Sequence, residues 1–246
     1  MTHLTLSRDL QYILHQGFNA EHAENMAMHS VDAILIENGF NCLAIGLPEP
    51  IGVLQLDHRI DIDHPGIATL TDEKRLVANA VLESVDKKRR DELPNHSCFY
   101  VDAPGGCGKT YMFNTIITYL RRNNFNVCSG AWTSLASTLL AGGKTIHILF
   151  KFPVPLTEAS VCNVPATSDH ANHLRNLDSI ILDEASMMPS FILHAIDKAL
   201  RDITGIAAVF GGKVVLLGEY FRQVLLILSR GTREAIIEIC IKNSPL

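Results

Sequence analysis

An α/β fold with a parallel sheet and a phosphate-binding loop at its carboxyl edge is what this sequence predicts, and three observations predict it. Four short apolar runs, "CFYVDA", "FNVCSGA", "SIILDEA" and "KVVLLGE", have the near-continuous hydrophobicity of strands buried on both faces of a parallel sheet. Each is followed by a longer amphipathic segment, so strand and helix alternate from about residue 97 onward. The first run leads straight into "APGGCGKT", a glycine-rich loop ahead of a helical stretch.

The elements before that loop come in three pieces. Residues 1–45 read as a short helical N-terminal extension: Leu10, Ile13 and Leu14 share one face, and Met26, Val31, Ile34 and Leu35 continue the period after a break. Residues 46–66, "GLPEPIGVLQLDHRIDIDHPG", carry three prolines and three glycines and read as a connector. From residue 67 to 246 the chain reads as one α/β lobe. Its first helix starts at Thr71, a capping residue followed by Asp72 and Glu73 at the positive dipole end. Leu76, Val77, Ala80, Val81 and Val85 are expected to form its buried stripe, and "DKKRRDE" its solvated end.

Composition narrows the classes. Of 246 residues 47% are apolar, enough for a sizeable core. With 21 basic against 26 acidic side chains there is no bulk attraction to nucleic acid or anionic membrane, so any nucleic-acid contact is local. Six dispersed cysteines without a C-x-x-C pair argue against a zinc ribbon or a disulfide framework and suggest reduced intracellular thiols. The opening residues lack the layout of a secretory signal or transit peptide, and no apolar run approaches the roughly 18 residues of a membrane span. His170 and His173 in "SDHANH" lack a nearby third zinc ligand, and no serine or cysteine sits in a nucleophile elbow.

The chemistry is carried by the glycine-rich loop. Ala103, Pro104, Gly105, Gly106, Cys107, Gly108, Lys109 and Thr110 match the P-loop, with alanine in its first glycine position. A strand delivers the chain to a loop whose amides point inward, and the following helix adds its dipole. Lys109 is expected to reach the β and γ phosphates and the Thr110 hydroxyl to ligate magnesium. Asp183 and Glu184 close the apolar run "SIILDEA", at the strand edge where α/β proteins bind ligands. Asp183 is expected to hold the magnesium and Glu184 to polarise the attacking water. Gln223, just after the run "KVVLLG", is the candidate to sense the γ-phosphate or the water.

These residues, together with "FYVDAPGGCGKTYMFNTI", "LLAGGKTIHILFKFPV", "IILDEASMM", "ALRDI", "FGGKVVLLGEYFRQVL" and "RGTREAI", resemble the petite-integration-frequency DNA helicases of superfamily one, in particular the branch carried by Helitron transposons. The resemblance covers residues 70–246. It implies a RecA-like parallel sheet sandwiched by helices, the first of two motor lobes that clamp Mg2+ and ATP. It further implies a motor that translocates on single-stranded DNA and opens duplex junctions, with roles in DNA repair, recombination and telomere maintenance. Thr133, Ser134, His147 and Phe150 match the family's first-lobe DNA contacts. Nuclear residence is expected, with the mitochondrion as the alternative.

Departures from the family pattern accompany the match. Lys74 stands where the family has a glutamine that contacts adenine, and an ammonium cannot reproduce an amide's paired donor and acceptor. Tyr220 replaces an aspartate, Leu226 a proline and Ser186 a proline. The chain ends where the family's first lobe ends, so the expectation is a first lobe without the arginines of the second, which another chain could donate. Two alternatives stay open. One is a non-motor nucleotide-binding remnant, and the other is a P-loop ATPase acting on protein or RNA.

Overall fold

The structure, a computed structural model, describes residues 66–94 and 96–219 together with Leu43, Cys240, Ile241 and Ser244. The expected helical extension, most of the connector, and the positions Tyr220, Gln223 and Leu226 lie outside the described residues. The chain divides into two compact units, residues 1–60 with 134–136, and residues 61–133 with 137–246. Of the first, the structure describes an exposed Leu43 and residues 134–136.

The second unit is built on a five-stranded sheet. Its strands are β1 (Cys98–Asp102), β2 (Val127–Ala131), β3 (Lys144–Thr145), β4 (Ser179–Asp183) and β5 (Val214–Glu219), in the order β1-β5-β4-β2-β3. Every neighbouring pair is parallel. Asp183 at the end of β4 lies in register with Ala131 of β2, and Asp102 of β1 with Glu219 of β5. All strands therefore end on one edge, and β5 separates the strand that feeds the glycine loop from the strand that ends in the acidic pair.

Among the described residues six α-helices accompany the sheet: α1 (Asp72–Arg89), α2 (Lys109–Arg122), α3 (Ser134–Leu139), α4 (Ile146–Phe150), α5 (Asp169–Arg175) and α6 (Ser190–Thr204). Side chains alternate across the sheet, and Cys128, Ile180, Leu182, Val215 and Leu217 join the inner faces of α4, α5 and α6 in one apolar cluster. On the opposite face α1 packs on β5 and α2 on β2. Met112, Phe113, Ile116, Ile117 and Leu120 of α2 are all buried there. Asn114, also buried, donates to the Leu139 carbonyl at 2.8 Å and accepts from the Ala141 amide at 2.7 Å, tying α2 to the loop after α3.

Three of the four expected strands are buried along both faces, and β3 is an addition too short to show as an apolar run. β1 differs: its residues alternate between exposed and half-buried, because no described strand pairs with its outer side. The buried stripe of α1 also differs from the expected one. Leu76 and Ala80 are exposed, whereas Ala78, Val81, Ser84 and Val85 are buried. Counting back by helical turns from Val85 and Val81 places Ala78 and then Lys74 on that face, leaves Ala80 about 100° from Val81 and puts Leu76 on nearly the opposite side. Thr71 occupies the cap position of α1 without a side-chain capping bond.

The same face of α1 ends in Lys88, whose ammonium donates to the Gly212 carbonyl at the start of β5. Lys213 beside it donates to the carbonyls of Arg175 at 2.5 Å and Leu177 at 2.6 Å. Burial, reinforced by Lys213 and opposed by Asp178, lowers Lys88 to about 8. An unfolded lysine titrates near ~10.4. Between these values the unfolded chain holds a proton that the folded chain has released, so this group's contribution to stability rises with pH across that window and falls as pH drops through 8. Denaturant unfolding of the wild type and of Lys88→Met between pH 7 and 11 should show the wild type gaining stability relative to the variant from pH 8 upward. A difference independent of pH would contradict this ionisation.

Candidate nucleotide-binding site

The loop between β1 and α2 is shaped by its backbone. Gly106 and Gly108 adopt φ of 79° and 83°, in the left-handed region that side chains disfavour. The Cys107 amide donates to the Pro104 carbonyl at 3.3 Å, closing a turn. Pro104, Gly105 and Gly106 are exposed, while Ala103, Cys107, Gly108, Lys109 and Thr110 are half-buried. Gly108 is the cap residue of α2. It has no side chain to satisfy the first helical amides, and the first turn contains no acidic residue. The positive end of a 14-residue helix is thus left to an anion.

Lys109, the first residue of α2, turns across the sheet edge and ion-pairs with the Asp183 carboxylate. The two side chains are 16% and 7% exposed, so the pair is shielded from solvent. The same Asp183 oxygen, Oδ1, accepts the Glu184 amide at 2.8 Å. Glu184 itself sits at φ 57° and ψ 37°, a left-handed conformation that costs a residue with a side chain roughly 1–2 kcal/mol. That twist makes two consecutive carboxylates diverge. Asp183 faces the glycine loop, and Glu184 turns toward the end of β2, where its Oε2 accepts from the Thr133 amide at 3.0 Å and the Thr133 hydroxyl at 2.6 Å.

The structure therefore brings Lys109, Thr110, Asp183, Glu184 and Thr133 to one edge of the sheet. The residues expected to touch DNA have different surroundings. Thr133 is engaged by Glu184, Ser134 begins α3, and His147 is half-buried with its ring 5.2 Å from that of Trp132. Burial lowers the His147 pKa, which favours the neutral ring. Phe150 corrects the expectation: its ring is fully buried in the apolar cluster beneath α4 and does not face a strand of nucleic acid. In "HILF" the two residues lie one turn apart on neighbouring parts of the helix surface, His147 at the half-buried margin and Phe150 deep in the cluster. His170 Nε2 lies 2.8 Å from the Leu149 carbonyl.

Magnesium fits this edge in a particular way. Among the described residues no group of three His, Cys, Asp or Glu side chains could enclose a metal ion. A hydroxyl at Thr110 and a carboxylate at Asp183, beside a loop of open amides, suit an ion that keeps most of its ligands from water and phosphate.

One site residue, Gly218, escapes sequence reasoning, and Lys74, marked in the sequence only as a departure from the family pattern, gains a position. A Cβ on Gly218 of β5 would lie 2.3 Å from the Phe113 ring and 3.2 Å from Asp183 Oδ1, so glycine there lets α2 and the acidic strand close on each other. Lys74 approaches the loop from α1, with its Nζ 3.2 Å from where a Gly108 Cβ would stand. Both depend on strand order and helix register, which no local motif displays.

The model of the PIF1-like helicase family matches residues 69–246. The ATP-dependent DNA helicase Pif1 of Psychrobacter sp. strain PRwf-1 is 31% identical over 135 residues, 54% of this chain and 20% of its own length. The ATP-dependent DNA helicase PIF1 of Trypanosoma brucei brucei is 29% identical over 157 residues, 62% of this chain and 15% of its own. The chain thus spans a fifth or less of these relatives. Among solved structures, Bacteroides sp. Pif1 in complex with ADP-AlF4 superposes with a TM-score of 0.53 at 26% identity, over 72% of this chain and 39% of that one. A structure of two coordinating Pif1 helicases at forked duplex DNA gives 0.55 at 25%, over 72% and 40%. The fold is that of the helicases' RecA-like domain, a parallel five-stranded sheet between helices.

The Gly218 geometry makes a direct prediction. Gly218→Ala should lower stability by about 1–3 kcal/mol through overpacking against the fully buried Phe113 ring. Phe113→Leu in the same chain should recover part of that loss, measured as a double-mutant cycle in urea. An additive cycle, or an unchanged midpoint in the single variant, would contradict the contact.

Proposed function

The chain belongs to the PIF1-like helicase family, and on that premise we propose that residues 67–246 are the first motor lobe of an ATP-dependent DNA helicase, preceded by a helical extension (1–45) and a connector (46–66). The observation that carries the reading is the shielded Lys109–Asp183 pair across the mouth of the glycine loop. A buried cation and carboxylate are held where a phosphate chain and its metal can replace each for the other.

In this reading the amides of residues 105–110 cradle the phosphates, and Lys109 neutralises charge on the β and γ groups. Thr110 and Asp183 hold Mg2+, which when bound withdraws charge from the phosphate oxygens. Glu184 orients the attacking water and accepts its proton, and Thr133 keeps that carboxylate at its station through two hydrogen bonds. Gln223 follows β5, the strand between β1 and β4, and reports the state of the γ-phosphate to the rest of the motor.

Single-stranded DNA and duplex junctions are the proposed partners, in line with the forked-DNA structure named above. His147 and Trp132 offer an aromatic surface near the end of β2, suited to stacking without base preference. Unwinding belongs to the whole helicase, in which a second lobe closes on the nucleotide. The share proposed for this chain is nucleotide binding and hydrolysis.

Magnesium-dependent ATP turnover by residues 1–246, with and without single-stranded DNA, tests the proposal. Turnover should rise with DNA and fall at least ~100-fold in both Lys109→Ala and Glu184→Gln, while Glu184→Gln keeps its affinity for nucleotide. Flat turnover at the level of Lys109→Ala, with nucleotide still bound, would support a non-motor remnant instead. Stimulation by RNA alone would overturn the DNA assignment.

A further inference from the structure

The most informative departure from the family pattern is Lys74, and its placement changes what it can recognise. The register of α1 puts it on the buried face, four residues before Ala78 and seven before Val81. The segment leading into α1 is fastened to α2 by a 2.7 Å hydrogen bond between the Thr69 hydroxyl and the Tyr111 hydroxyl. That clamp sets the first turn of α1 over the start of α2. The Lys74 Nζ and Cε then lie 3.2 and 3.8 Å from the position of a Cβ on Gly108. Glycine at 108 answers to a φ of 83°, and the end of the lysine lies directly beside it.

We propose that Lys74 is a second phosphate-directed cation, and that this chain recognises nucleotides chiefly by their phosphate tail, with little discrimination between bases. The proposal rests on the reading of the loop as a nucleotide site. An ammonium carries three donors and no acceptor, so it cannot match the donor–acceptor edge of adenine, whereas it matches phosphate oxygens from any direction. Gly108 immediately precedes Lys109 and caps α2, so a cation held there adds to the positive end of the helix. Among the described residues no carboxylate is paired with Lys74, since the nearby Asp72 is taken by Arg75. Lys109 is paired with Asp183, which leaves Lys74, among the described residues at the loop, as a cation with no carboxylate to hold it back from the phosphates.

Displacement of a fluorescent N-methylanthraniloyl-ATP from the full chain, in Mg2+, by ATP, GTP, CTP, UTP and inorganic tripolyphosphate tests this. The wild type should bind all four nucleotides within a few-fold of one another and should also be displaced by tripolyphosphate. Lys74→Ala should weaken every competitor by about tenfold or more, the effect of losing one charge-assisted bond. Lys74→Gln should weaken tripolyphosphate likewise yet favour ATP over the other three. Circular dichroism and melting of each variant separate loss of fold from loss of contact. A wild type that strongly prefers ATP, a Lys74→Ala variant that binds normally, or one that loses a single base would each overturn the proposal. Lys109→Ala separates the two readings. Probe binding that it abolishes but Lys74→Ala leaves intact sinks only the role of Lys74. A wild type that binds no probe sinks the nucleotide site itself.

Discussion

The ion pair between Lys109 and Asp183 depends on where a parallel sheet ends its strands. Lys109 opens the helix after β1, and Asp183 closes β4, two strands away across β5. They meet because every strand runs the same way and because β5 has a glycine at position 218, where a side chain would force the Phe113 ring and Asp183 apart. Breaking a shielded pair by removing one partner leaves a buried charge without compensation, a loss of about 3–5 kcal/mol. The pair consequently joins the stability of the lobe to the state of its ligand site. A phosphate that takes Lys109 and a metal that takes Asp183 must arrive together for neither charge to be stranded.

Around that pair the remaining site residues are fixed by secondary constraints. Glu184 is driven into a left-handed conformation, which is tolerable because its amide is bound by Asp183 and its carboxylate by Thr133. Consecutive acidic residues are thereby given different neighbours and different tasks. Helix α1 contributes a third layer of control. Its buried face begins with Lys74 at the glycine loop and ends with Lys88 at Gly212, so one helix links the carboxyl edge of the sheet to the opposite edge of β5. Over 18 residues it is about 27 Å long.

Much of this is legible in the sequence because the signals are local. The apolar runs locate β1, β2, β4 and β5, and the pattern from Ala103 to Thr110 marks the loop without knowledge of the fold. The acidic pair gains meaning only beside that loop. What stays illegible depends on long-range order. Gly218 reads as an ordinary strand glycine until the strand order puts it between Phe113 and Asp183. The bond between Thr133 and Glu184 shows only once β2 is known to lie beside β4. Phe150 and His147 lie one turn apart on one short helix, and only its packing buries Phe150 and leaves His147 half-buried at the margin. The stripe of α1 misleads because Leu76 is the larger apolar side chain, while the turn of the helix selects Ala78.

The most direct test of the account is a crystal structure of the chain with magnesium and a non-hydrolysable ATP analogue. It predicts that the Lys109 ammonium leaves Asp183 for the phosphate oxygens, that Asp183 turns to the metal, and that Glu184 remains on Thr133. A nucleotide bound elsewhere, with the Lys109–Asp183 pair unbroken, would contradict it.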